Sequence, residues 1–374
     1  MAFSSLRTVS FRNLEDAEID VRGKDIFLIG ENGQGKSNFL EALYFCSYAS
    51  SFRVKKDSDL VKEGERNCSV SLNIENSPYL NVSVVLKDGK KIISLDGKRI
   101  DDRKNLLSVA PTVIFCHEDM EFVAGTPEKR RWFFDQTWSL WDPLYLEDLQ
   151  KYRYVLKNRN AVFRSLGNGS RNSGRQRERR INLPDDTIAT LDALDPQLAL
   201  YGLGITGKRH ETTKDFSFVF EPLYREISGI EGIGIQYIPS WKEVSLDGVI
   251  SLLANRREVD ASVGVSLSGP HRDRYLFTRN GEDFSLKAST GQRRLLALLL
   301  RIAQAKVFSE KTGRKPVLLF DDVLLELDGE KRKKFLSVMP EYEQAFYTFL
   351  SGEPYQSYCG ENTIVYNVCS GHIG

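Results

Sequence analysis

Two apolar periodicities alternate along this chain, and each change of period marks a change of architecture. Residues 6–11 and 17–21 read as opening strands, and Asp25-Ile26-Phe27-Leu28-Ile29 is a short apolar run suited to one buried strand. A helix is predicted over 38–49, with Phe39, Leu40, Leu43 and Phe45 at helical spacing. From residue 68 to 100 the chain alternates and reverses at Asp88-Gly89 and Asp96-Gly97. Asp-Gly between apolar runs is a hairpin signal, so a small antiparallel meander is predicted there. Beyond residue 128 the spacing turns helical through Trp132, Phe133, Phe134, Trp138, Leu144, Leu149, Tyr152 and Val155 to Phe163. A second helical stretch is predicted over 185–209. Strand patterns return at 216–220, 234–238 and 275–284, the last folded at Asn280-Gly281. A Leu-rich helix over 292–310 and a strand over 317–320 complete the reading.

Composition narrows this picture without deciding it. The 374 residues, 41% hydrophobic and 28% charged, are ample for a large core and two structural units. The most apolar stretch, 295–300, is far too short to span a bilayer, and the N-terminal residues lack the apolar block of a signal peptide, so a cytoplasmic protein is expected. Five cysteines without a C-x-x-C pair read as free thiols, and four scattered histidines argue against a structural zinc site. Net charge is only +1, but ten Lys or Arg and one acid lie between Lys151 and Arg180. Lys157, Arg159, Arg175, Arg177, Arg179 and Arg180 of this block are candidate DNA contacts. A solvated Gly/Ser/Arg-rich loop is the alternative.

Candidate chemistry sits in three segments. Gly30-Glu31-Asn32-Gly33-Gln34-Gly35-Lys36-Ser37 is a G-x-x-x-x-G-K-S phosphate loop between predicted strand and predicted helix. Its glycines let backbone N–H groups face phosphates, Lys36 is the candidate for the β- and γ-phosphates, and the Ser37 hydroxyl is a candidate Mg²⁺ ligand. Asp321 ends an apolar strand and is the second candidate metal ligand, while Asp322 is placed to position attacking water. Aspartate there reaches one methylene less far than glutamate, which predicts slow ATP hydrolysis. Between these segments, Ser289-Thr290-Gly291-Gln292 opens the Leu-rich helix as a second anion site. Asp328, in Leu325-Glu326-Leu327-Asp328, follows the acid pair as a candidate interface residue.

Order and spacing of these motifs are those of ATPases whose heads close as a dimer around ATP. More specific segments accompany them: Ser51-Phe52-Arg53, Pro111 through Glu118-Asp119, Arg130-Arg131-x-Phe133-Phe134-Asp135, Leu156-Lys157-Asn158-Arg159-Asn160 and Gly269-Pro270-His271-Arg272. With these the chain resembles the bacterial RecF family of recombination mediators over nearly its whole length. The resemblance implies an α/β fold: an ABC/SMC-like P-loop ATPase head with mixed sheets around the P-loop helix, from residues 1–125 and 256–374. A mainly helical lobe over 126–255 would be inserted in it, with 285–310 packing on that lobe. It implies an ATP- and Mg²⁺-dependent homodimer that binds single-stranded and gapped duplex DNA. Such a dimer works with RecR and RecO to load RecA, supports stalled forks and the SOS response, and acts as a weak DNA-stimulated ATPase. The chain departs from the family at His117, Leu325 and Arg274, and it offers no glutamine near Thr112-Val113. These departures bear on hydrolysis rate and metal geometry. Arg53, Arg130 and Arg131 are candidate nucleotide or DNA contacts, with buried ion pairs as the alternative; His271 reads as a loop-fixing or phosphate-contacting residue. A transporter ATPase subunit and a P-loop phosphotransferase are the competing readings. The first lacks a switch histidine in 345–351, and the second leaves Ser289 and Asp328 without a role.

Overall fold

The structure is a computed structural model that describes residues 2–101, 104–169, 183–327 and 329–374. These residues fall into two compact units, one formed by Met1–Met120, Pro222–Ile230 and Ser289–Gly374, the other by Glu121–Glu221 and Glu231–Ala288. The division differs from the sequence boundaries at 125/126 and 255/256. Residues 256–288 fall in the second unit because strand Arg274–Arg279 pairs with Ile233–Ile238 there.

The first unit contains two six-stranded sheets. In one, strand Asp25–Ile29 lies between Gln344–Phe349 and Thr363–Cys369 and is parallel to both. Val317–Phe320 then pairs in parallel with Gln344–Phe349 and Thr112–Phe115. All four residues of Val317–Phe320 and all six of Gln344–Phe349 are buried, as interior strands of a parallel sheet are. The other sheet is antiparallel and includes the predicted meander, Cys68–Glu75, Asn81–Lys87, Lys90–Leu95 and Lys98–Ile100. Its reversals carry positive φ at both central residues, 50° and 72° at Asp88-Gly89 and 47° and 75° at Asp96-Gly97. That is the backbone for which Asp-Gly is selected.

The second unit is mainly helical, with a three-stranded sheet. Helices Pro127–Ser139 and Pro143–Gly169 cover the first predicted helical stretch. The second extends far past residue 209, to form one helix, Asp185–Ser228, whose residues from Pro222 onward belong to the first unit. The strand predicted over 216–220 is therefore helical. Phe216, Phe220, Leu223, Tyr224 and Ile227 are all buried, a spacing of three and four that belongs to a helix face.

Candidate nucleotide-binding site

The phosphate loop leaves the centre of the parallel sheet. A Cβ on Gly30 would lie 2.3 Å from the Val368 carbonyl oxygen, so the neighbouring strand admits only glycine there. Gly35 caps the next helix, Lys36–Tyr48, with φ of 123°, a backbone that L side chains rarely adopt. Lys36 is buried, and its Nζ donates to the carbonyls of Gly30 at 2.7 Å and Glu31 at 3.0 Å. Asn32, Gly33, Gly35, Lys36, Ser37, Asn38, Arg53 and Asp322 line a cavity of about 170 Å³ at the helix N-terminus. Arg53 is exposed, and its Nη1 donates to Asn38 Oδ1 at 2.9 Å, which sets the guanidinium at the cavity wall.

Residues that no motif announced hold this loop. Asn13 Nδ2 donates to the Gly33 carbonyl at 3.1 Å, and Asn38 Nδ2 donates to Asn13 Oδ1 at 2.7 Å. Gln34 is gripped twice, its Oε1 accepting from Ser370 N at 2.6 Å and its carbonyl from Gly371 N at 2.8 Å. The side chain of Gln34 thus braces the loop instead of facing the cavity.

The acid pair is divided by its hydrogen bonds. Ser37 Oγ donates to Asp321 Oδ1 at 2.6 Å, joining the two candidate metal ligands directly. Burial pushes the Asp321 carboxyl up to about 6; the Ser37 bond opposes that shift and the charge of Asp322 adds to it. Asp322 has φ of 56°. Its N–H donates to Thr348 Oγ1 at 2.8 Å, and the Thr348 hydroxyl donates to Asp322 Oδ1 at 2.7 Å. Asp321 therefore turns to the helix and Asp322 lies along the cavity wall.

Ser289 caps helix Thr290–Thr312 reciprocally with Gln292. Ser289 Oγ accepts from Gln292 N at 3.3 Å, and Gln292 Oε1 accepts from Ser289 N at 2.8 Å. Among the described residues a Cβ on Gly291 would meet nothing within 4 Å, so packing among them does not explain that glycine. Among the described residues, Ser289, Gly291 and Gln292 are not part of the phosphate-loop cavity's lining. Arg301 fixes the same helix. Its Nε and Nη2 donate to Asp119 Oδ1 at 3.0 and 2.7 Å, with both side chains buried. Asp328 lies outside the described residues.

In the second unit, one candidate DNA contact is overturned. Arg159 is fully buried; its Nε donates to Asp195 at 2.7 Å and its Nη1 to Asp260 at 2.6 Å. It cannot reach a phosphate from the protein's interior. Lys157 is exposed, while Arg175, Arg177, Arg179 and Arg180 lie outside the described residues. Arg130 and Arg131 bond main-chain carbonyls, Arg130 those of Val123 and Tyr275, and Arg131 that of Asp273 at 2.7 Å. His271 fixes its loop by accepting at Nδ1 from the Tyr152 hydroxyl at 2.7 Å and donating from Nε2 to the Ser266 carbonyl at 3.0 Å.

The RecF/RecN/SMC N-terminal domain family model matches residues 2–361. The DNA replication and repair protein RecF of Treponema pallidum (strain Nichols) is 41% identical over 368 residues, 98% of this chain and 99% of its own. The chain belongs to the RecF family. RecF of Clostridium perfringens (strain SM101 / Type A) is 32% identical, over 100% of this chain and 99% of its own. Among solved structures, the recombination mediator protein RecF with ATP in the RecFOR pathway matches with a TM-score of 0.86 and 28% identity. That match covers 100% of this chain and 96% of RecF. The Smc head domain of Pyrococcus furiosus, with a TM-score of 0.52 and 17% identity over 99% and 94% of the chains, shares the ATPase-head fold. No helix among the described residues is long and apolar enough to cross a membrane.

Proposed function

We propose that this RecF-family chain is an ATP-switched DNA-binding protein of recombinational repair and fork maintenance. ATP would bind the phosphate loop through Lys36 and the N–H groups of 30–37. A second copy would close on the γ-phosphate with Ser289, Gly291, Gln292 and Asp328. The closed homodimer would hold DNA at single-strand gaps and work with RecR and RecO in loading RecA, with slow hydrolysis releasing it and the SOS response downstream. ATP drives closure to the extent that it binds the closed pair more tightly than the open one.

The observation that carries this reading is the Ser37–Asp321 hydrogen bond at 2.6 Å. A hydroxyl from the phosphate loop and a carboxylate just past the end of strand Val317–Phe320, the next but one in the sheet, converge as a hard-oxygen pair suited to Mg²⁺. The ion, when bound, supplies positive charge against the phosphate oxygens. Among the described residues no cluster of three or more His, Cys, Asp or Glu stands ready for a metal, so the rest of its shell falls to phosphate and water. Asp322, steadied by Thr348, would orient the attacking water. The exposed cap at Ser289 and the free space beside Gly291 support a role toward a second copy.

The test is binding to a gapped duplex with and without ATP and Mg²⁺, for the unmodified chain and for Lys36→Met and Ser289→Arg. Tight ATP-dependent binding, lost in both variants, is expected. Binding indifferent to ATP would sink the switch.

A further inference from the structure

Two of the family-specific segments, Arg130–Asp135 and Gly269–Arg272, have no part in the nucleotide site. Both line one cavity within the second unit, about 540 Å³ in volume, with Arg131, Trp132, Asp135, Tyr152, Arg153 and Arg272 among its walls. The acids and cations there are unequally engaged. Asp135 is held bidentately by Arg209, at 2.8 and 3.0 Å, and Asp273 accepts from the same guanidinium at 2.7 Å. Arg153 is 60% exposed and only loosely paired with Asp135, at 3.6 Å. Arg272 makes one long bond, 3.5 Å, to the Ser266 carbonyl. Glu128, at the rim, is the exposed acid.

The field inside follows from that asymmetry. Burial, with the cations of Arg272 and Arg131 acting in the same direction, brings His271 down to about 4. Burial also lowers Arg131, and the like charge of Arg209 adds to it. An anion entering the cavity would relieve both. Trp132 supplies a different kind of contact. The residue is 43% exposed, and its ring is backed by Phe122, with centroids 5.7 Å apart and planes inclined by 30°. The basic surface also continues outward, because Arg153, Lys157 and Arg164 recur at i, i+4 and i+11 on helix Pro143–Gly169 and all three are exposed.

We propose that this cavity is a binding site for single-stranded DNA, stacking a base on Trp132 and taking the adjoining phosphates on Arg131, Arg153 and Arg272, with the strand continuing past Lys157. An aromatic face flanked by guanidinia is the chemistry by which proteins hold single strands without reading sequence. The basic row beyond the cavity fits a polyanion; a single acidic side chain from a partner protein would not use it. The inference rests on the DNA-binding reading above.

The test is an intrinsic-fluorescence titration of the full chain with oligothymidylate, with and without ATP and Mg²⁺. Trp138 and Trp241 are fully buried and Trp141 is half-buried, so the quenching expected on binding belongs mainly to Trp132 and should be largely lost in Trp132→Phe. Trp132→Ala should weaken single-strand binding roughly tenfold. Arg153→Gln should flatten the logarithmic salt dependence by about 0.7. Nucleotide binding should persist in each variant. If the unmodified chain binds no DNA, the DNA-binding reading fails and this site with it. If it binds DNA with unchanged affinity and salt slope in Trp132→Ala and Arg153→Gln, the site alone is overturned. Quenching by an oligoglutamate peptide but not by oligothymidylate would overturn it in favour of an acidic protein segment.

Discussion

Gly371 N–H donates to the carbonyl of Gln34 at 2.8 Å, tying the final residues of the sequence to the middle of the phosphate loop. The approach is close on the other side too, since a Cβ on Gly371 would fall 1.9 Å from the Asn13 carbonyl oxygen. Its φ of 86° adds a second reason for glycine. Gly371→Ala should therefore displace the turn and release Gln34, lowering the affinity for a fluorescent ATP analogue by about tenfold. Gln34→Ala, which removes only the Ser370 contact, should have a smaller effect in the same direction. Unchanged affinity in Gly371→Ala would mean that the phosphate loop holds its shape unaided.

Arg159 should behave as a stability residue. With Asp195 and Asp260 both paired to this guanidinium, Arg159→Ala leaves buried Asp260 without its cation and Asp195 with Arg257 alone. Breaking such a buried network costs about 3–5 kcal/mol. Chemical denaturation should report that loss, while Lys157→Ala leaves the midpoint in place and weakens DNA binding. A stable Arg159→Ala protein with weakened DNA affinity would restore Arg159 to the DNA surface.

The contrast between Arg159 and the phosphate loop shows what the sequence makes legible. Gly30–Ser37, the strand before it and the helix after it are local, so chain order carries their geometry. The same holds for the Asp-Gly turns of the antiparallel sheet. In sequence Arg159 is one basic residue of a basic segment, but its partners lie 36 and 101 residues away. The brace on Gln34 spans 336 residues, and no local pattern announces it. The stretch 216–220 misleads for a different reason. Read alone, Phe216 to Phe220 has the aromatic content of a strand, and only the continuation through Tyr224 and Ile227 reveals the helical period.

Asp321 allows a prediction in pH. Burial raises its carboxyl to about 6, above the value of an unfolded chain, so the ionised form is disfavoured by folding. Stability from the neutral form is present at acid pH and lost as pH rises through about 6. Asp321→Asn removes the ionisable group. Measured in EDTA without nucleotide, it should gain about 2–3 kcal/mol over the unmodified chain at pH 7.5, converging with it near pH 4. Thermal midpoints across that range provide the check. A constant offset would assign the difference to the lost Ser37 bond alone.

Asp322 tests the slow-switch reading. Its carboxylate is held by the Thr348 hydroxyl at 2.7 Å, and its main-chain N–H donates to the same oxygen at 2.8 Å. A short side chain tied to the same hydroxyl as its own main chain has little freedom to follow an attacking water. Steady-state turnover should therefore fall below about 1 s⁻¹, at the low end of ordinary enzymes. Asp322→Asn should keep nucleotide affinity and reduce hydrolysis by roughly a hundredfold, the scale of one lost general base. Thr348→Val should free the carboxylate and change the hydrolysis rate without changing ATP affinity. If Asp322→Asn hydrolyses ATP at the unmodified rate, water must be oriented by another group, and Glu118, whose charge is felt at Asp321, becomes the residue to substitute next.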